Sequence, residues 1–136
     1  MFIMIDMTTV ANTTTEIRAK ANDLVQLVLT GKALEAFDTY YADNVSMQEN
    51  TQPPMIGKAT NRAREEQFFA TIAEFHNAEA AEIIVDGDRS VVKWKMDVTT
   101  TDGTRLTYEQ LALQTWSSGL IVAEQFFYDT ASMVAK

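Results

Sequence analysis

At 136 residues the chain has room for one domain. A hydrophobic share of 46% and a charged share of 22% exclude a disordered, collagen-like or coiled-coil chain, and the absence of cysteine excludes disulfides, thiolate metal sites and cysteine nucleophiles. The net charge of -8, with Lys and Arg scattered, argues against nucleic acid as a partner, because phosphate neutralisation needs clustered bases. No apolar run approaches the roughly 20 residues that span a membrane. Met1 to Met7 is short, lacks a basic start and contains Asp6, so it does not read as a signal peptide. The expectation is a cytoplasmic protein with no membrane partner.

Residues 1–12 read as a loose tail, with Met7 an alternative start. Thr13 and Glu16 have capping-box spacing and predict a helix start. Ile17, Ala21, Leu24, Val25 and Val28 follow at helical spacing, and Gly31 ends the helix. A second helix is expected from Ala33 to Tyr41, broken by Ala42-Asp43-Asn44. Val45 to Glu49 alternates as a short strand, with Val45, Met47 and Glu49 on one face. Gln52-Pro53-Pro54 stops it. A third helix is expected from Ala59 to Phe75, with Phe68, Ile72 and Phe75 as its apolar stripe and Arg62, Glu65 and Glu66 solvated.

From His76 the period changes to two. Four strands are expected: His76 to Val85, Arg89 to Thr100, Arg105 to Trp116 and Leu120 to Asp129. Asp86-Gly87-Asp88, Asp102-Gly103 and Ser117-Ser118-Gly119 are the turns between them. Helices in one run and hairpin-linked strands in another imply α+β with an antiparallel sheet. The last strands are apolar on both faces: Leu111 and Leu113 against Ala112 and Trp116, Phe126 against Phe127. Helices cover one face. A second copy of the sheet is expected on the other, making a homodimer.

Three stretches carry a resemblance: GKALEAFDTYYADNVSMQE from Gly31, PMIGKATNRAREEQFF from Pro54 and SGLIVAEQFFYD from Ser118. The order of elements and these stretches resemble the nuclear transport factor 2-like superfamily, and within it SnoaL-like and ketosteroid isomerase-like proteins. The resemblance covers Thr13 to Asp129. It implies three N-terminal helices packed in a strongly curved, mainly antiparallel sheet, a cone-shaped, cystatin-like α+β roll open at one end. It implies a domain over residues 13–130, between the tail 1–12 and a C-terminal tail 131–136. Even-numbered residues of the late strands would face the pocket, and no cofactor is implied. This superfold hosts isomerases, cyclases, dehydratases and binding modules, so fold alone does not choose among them.

Glu49 is the first candidate for chemistry. It shares a face with Val45 and Met47, and a carboxylate in an apolar pocket is tuned for proton abstraction next to a carbonyl. The resemblance places it where ketosteroid isomerase-like proteins carry their base. The bland alternative is a solvated glutamate before Asn50. Glu124 is the second candidate: either it lines the pocket between Val122 and Phe126, or it is a buried glutamate paired with Gln110, Gln114 or a tyrosine. By resemblance to SnoaL-like cyclases, Glu124 and Phe126 stand where a histidine and the catalytic aspartate occur. His76, the sole histidine, is either an acid-base group or a satisfied residue at a helix–strand junction. With no cysteine and one histidine, no metal site is expected.

Tyr40, Tyr108 and Tyr128, with Gln110 and Gln114, are candidate donors to an oxyanion. The isomerase-like oxyanion tyrosine would fall at Leu24. Met47, Trp94, Met96, Trp116 and Phe126 would line an apolar pocket or serve as plain core. No glycine-rich phosphate loop and no nucleophile elbow is present. The expected ligand is therefore an apolar small molecule. It is either a substrate for isomerisation or cyclisation or a ligand that is only bound; a dimerisation role comes third.

Overall fold

The computed structural model describes residues 7–132, with side chains from 13 to 131. In chain order it runs α1 (Met7–Leu29), α2 (Ala33–Tyr40), β1 (Tyr41–Glu49), β2 (Met55–Ile56), α3 (Lys58–Ala70), β3 (Ile72–Asp86), β4 (Arg89–Thr100), β5 (Arg105–Ser117) and β6 (Leu120–Phe127). The six strands form one curved sheet in the order β2-β1-β6-β5-β4-β3. β3 to β6 are an antiparallel meander, while β1 pairs parallel to β6 and antiparallel to β2. The fold is the α+β roll that the order of elements predicts.

The predicted spacing of α1 holds: Ile17, Ala21, Leu24 and Val25 are all buried against the sheet. Its start does not hold. The helix begins at Met7, so Thr13 and Glu16 lie inside it rather than at a cap, and residues 7–12, expected as tail, are helical. No proline or glycine between Met7 and Leu29 stops the helix from propagating toward the N-terminus. Residues 1–6 and 133–136 lie outside the described residues. The β3–β4 turn docks back on this helix, Gly87 N donating to Thr14 Oγ1 at 2.8 Å.

Two further boundaries move for tertiary reasons. Ala42-Asp43-Asn44, read as a break, belongs to β1, which begins at Tyr41 and pairs with Ile121 of β6. Ile72 and Phe75, read as the end of the third helix, belong to β3. There the β3–β4 ladder continues down to Ile72 opposite Thr100. Ladder pairing with a long neighbour overrides a helical spacing of apolar residues. The short β2, which forms after the two prolines, has no signal in the sequence beyond Met55-Ile56 themselves.

A bulge corrects one face assignment. Thr115 opposes Ala123 but Trp116 opposes Ile121, so β6 carries one extra residue at Val122. Ile121, not Val122, therefore shares the buried face with Glu124.

Candidate active site

Strand register places the polar residues of the inner face in rows. Ser90, Gln114, Glu124 and Met47 stand opposite one another across β4, β5, β6 and β1. The next row is Val92, Ala112, Phe126 and Glu49. The first row closes into a buried hydrogen-bonded chain. Trp116 Nε1 donates to Ser90 Oγ at 2.9 Å, Ser90 Oγ to Gln114 Oε1 at 2.6 Å, and Gln114 Nε2 to Glu124 Oε2 at 2.8 Å. Tyr41 Oη donates to Glu124 Oε1 at 2.6 Å. Burial pushes the Glu124 carboxyl up to about 7 although both donors favour its charged form.

The second row opens onto a cavity of about 360 Å³. The sheet contributes Met47, Glu49, Met96, Tyr108, Gln110, Phe126 and the following Tyr128 to its wall; α3 contributes Asn61, Arg64, Glu65 and Phe68. Asn50 holds the Glu49 corner. It adopts a left-handed φ of 48°, which asparagine tolerates better than most residues. Its N–H donates to Phe126 O at 2.7 Å, its carbonyl accepts from Gln125 Nε2 at 2.8 Å, and its Oδ1 accepts from Tyr128 N at 3.0 Å. These bonds tie the end of β1 to the end of β6 and set Glu49 beside Tyr128.

The α3 wall is anchored as firmly. Gly57, at φ 106°, makes the turn into the helix where a side chain would be strained. Buried Asn61 donates from Nδ2 to Met55 O at 3.0 Å and Gly57 O at 2.9 Å. Arg62 grips Asp38 of α2 with two bonds, Nε to Oδ1 at 2.7 Å and Nη2 to Oδ2 at 3.0 Å. From this helix Arg64 Nη1 donates to Asn61 Oδ1 at 3.4 Å, and Nη2 lies 3.8 Å from Glu49 Oε1.

Two carboxyls, Glu49 and Glu65, thus share one cavity with the Arg64 guanidinium. Burial pushes the Glu65 carboxyl up to about 7, the Glu49 charge adds to the rise and Arg64 opposes it. Tyr108 is pushed up to about 12 by burial, then by the charges of Glu65 and Glu49. Tyr128 is raised by burial and by its hydrogen bond to Glu49. Both phenols stay protonated at neutral pH, and Tyr128 donates to Glu49.

Of the residues singled out from the sequence, Glu49, Met47, Met96, Tyr108, Gln110, Phe126 and Tyr128 meet at this cavity. The others do not line it. Glu124 and Gln114 are spent on the buried chain, with Trp116 at its far end. Trp94 packs in the core with Val25, Val92 and Ala112. Tyr40 donates to Asp23 Oδ2 and meets Trp116 edge-on at 5.9 Å. His76 sits five residues into β3 on an exposed stretch, its Nε2 2.6 Å from Thr99 Oγ1. Leu24 is core hydrocarbon.

Sequence reasoning missed Asn61 and Arg64, and it read Glu65 as solvated, whereas the structure turns Glu65 into the cavity. With Phe68 they recur at i, i+3, i+4 and i+7, the spacing of one helical face. A search for apolar stripes passes over a face that is polar because it lines a site.

A model of the SnoaL-like domain family matches residues 12–128. The chain belongs to the SnoaL-like family. Among solved structures, this SnoaL-like domain is similar to a candidate SnoaL-like polyketide cyclase of Mesorhizobium loti, with 28% identity, a TM-score of 0.71, and 82% of this chain covering 98% of that one. A candidate SnoaL-like polyketide cyclase of Jannaschia sp. CCS1 gives 12% identity and a TM-score of 0.77, over 88% of this chain and 89% of the other. An LEH-like epoxide hydrolase of M. tuberculosis gives 13% identity and a TM-score of 0.72, over 88% and 87%. The latter two show a shared fold. No curated protein matches the sequence. Among the described residues no helix is long and apolar enough to cross a membrane.

Proposed function

We propose that this SnoaL-like domain is an acid-base enzyme acting on a small carbonyl compound with an apolar frame. Glu49 takes the proton from the carbon next to the carbonyl. The C–H electron pair becomes the new C=C bond, and the carbonyl π pair moves onto oxygen. Protonated Glu65 and the Tyr108 hydroxyl donate hydrogen bonds to that oxygen. Where the enolate is conjugated with a neighbouring C=C bond, return of the proton from Glu49 to the far carbon of that bond completes an isomerisation; attack of the enolate carbon on a second carbonyl within the substrate, with Glu49 returning its proton to the new alkoxide oxygen, would complete a cyclisation.

The observation that carries this reading is the meeting of Glu49 and Glu65 in one cavity, with Arg64 beside Glu49. Two carboxyls in differing environments divide the roles of base and acid. A Glu65 carboxyl at about 7 holds a proton for much of the time at neutral pH. Met47, Met96, Phe68 and Phe126 supply the apolar surroundings. The cavity, at about 360 Å³, lies near the small end of ligand sites, which run from about 300 to 1,000 Å³.

The test is incorporation of solvent deuterium next to the carbonyl of simple ketones, followed by NMR. The wild type is expected to accelerate exchange, and Glu49→Gln to lose about 100-fold or more of that acceleration. Equal rates in the two proteins would remove Glu49 from the mechanism. A non-catalytic role in binding an apolar ligand is the second reading. It is favoured by Leu24, which puts hydrocarbon where the isomerase-like resemblance expects an oxyanion tyrosine. Recovery of a bound ligand unchanged, with no exchange in any ketone, would favour that role.

A further inference from the structure

A second concavity of about 740 Å³ lies against the first, and it is different in character. Its walls are Leu29 at the end of α1, Leu34 of α2, Phe68 and Phe69 of α3, and Phe75 of β3, with Lys32 of the α1–α2 turn and Glu35 of α2 as its charged residues. Phe68, Met96 and Tyr108 line both spaces. The aromatic side is continuous: Phe68 and Phe69 meet edge-on at 5.4 Å, and Phe69 and Phe75 lie 6.3 Å apart. Leu29, Phe68 and Phe75 are each more than a third exposed. Large apolar side chains clustered in the open mark a binding surface. The β3 backbone is shaped for it. Phe75 and Ala78 would fall on opposite faces of a regular strand, and the register shift between Phe75 and Asn77 brings them to the same groove.

We propose that this groove receives the hydrocarbon tail of the substrate whose carbonyl sits between Glu49 and Glu65, an inference that rests on the acid-base reading of the cavity. The substrate class is then an amphiphilic carbonyl compound, with a reactive head and an extended apolar chain, rather than a compact ketone. The shared wall supports this occupant. A molecule anchored in the cavity that extends past Phe68, Met96 or Tyr108 meets aromatic and aliphatic surface beyond them. A protein partner needs a broad face, with more than about 1,000 Å² buried in total, whereas this is a slot flanked by a helix turn and a strand edge.

The experiment is a ladder of 2-alkanones from 2-butanone to 2-nonanone, read by the same deuterium exchange. A fully buried methylene is worth about fourfold in affinity and a half-buried one about twofold, so kcat/KM is expected to rise about 30-fold over the five added methylenes. Phe75→Ser and, independently, Leu34→Ser are expected to flatten that rise. Exchange without any dependence on chain length overturns the groove and leaves the acid-base reading standing. If no ketone exchanges, that reading fails, and the groove is judged by NMR titration with the same ladder. Tighter binding of 2-nonanone than 2-butanone, with shifts at Leu34, Phe69 and Phe75, supports it; equal binding overturns it. A doubled particle mass that Phe75→Ser returns to one protomer also overturns it, because a second chain then fills the groove.

Discussion

Replacing Glu124 by glutamine sets two opposed effects against each other, and pH separates them. In the wild type every hydrogen bond of the chain is directed at the carboxylate: Trp116 to Ser90, Ser90 to Gln114, Gln114 to Glu124, and Tyr41 to Glu124 from the other side. A glutamine at this position keeps one acceptor oxygen and presents an N–H group to its other neighbour, donor against donor. Turning Gln114 over only moves the conflict to Ser90. A buried donor left unpaired costs about 1–3 kcal/mol. Against this stands the carboxyl itself, pushed from 4.5 to about 7 by burial. The folded value lies above the unfolded one. Its stabilising contribution is therefore full below about pH 4.5 and is lost as pH rises through about 7. The difference is worth on the order of 3 kcal/mol. Near pH 5 the protonated wild-type carboxyl carries an O–H into the same conflict, so Glu124→Gln should gain stability relative to wild type by about 2–3 kcal/mol between pH 5 and pH 8, as the wild-type carboxyl ionises. Glu65 titrates in both proteins, so its own contribution largely cancels in the comparison. Urea unfolding at constant salt across that range measures the gap. A gap that does not change with pH would show that Glu124 does not titrate there, and the burial argument would fail.

Glu65→Gln keeps a hydrogen-bond donor in the cavity at every pH. The wild-type exchange rate should fall as pH rises past about 7, where Glu65 loses its proton, and the variant should lack that limb. Identical pH profiles of kcat/KM would deny Glu65 its role. On the outer face of the sheet, the rows Glu82-Lys93-Leu111-Phe127 and Ile84-Val91-Leu113 place exposed apolar side chains beside opposite charges. We propose that a second copy of the chain covers this face. Light scattering at micromolar concentration should then give twice the protomer mass, and Ile84→Glu should return it to one. A wild-type mass of one protomer would refute the dimer.

Much of this molecule was written locally. The helical spacing from Ile17 to Val28, the alternation of β4 and β5, and the Gly-containing turns between strands each follow from short-range rules, and they were sufficient to read an α+β roll. The inward phase of Met96, Tyr108, Gln110, Phe126 and Tyr128 followed as well, because a strand alternates strictly until something interrupts it. Glu49 was legible for the same reason.

What the sequence could not decide was set by long-range pairing. The register of β4, β5 and β6 aligned Ser90, Gln114 and Glu124 and spent that carboxylate on the core, although nothing local distinguishes it from Glu49. The extra residue at Val122 shifted one face of β6, and pairing with β4 took Ile72 and Phe75 from a helix into a strand. The docking of α3 turned Asn61, Arg64 and Glu65 inward, where burial and the nearby Glu49 lift the Glu65 carboxyl to about 7. Periodicity says which residues share a face. Which face meets a cavity depends on packing between elements far apart in the chain.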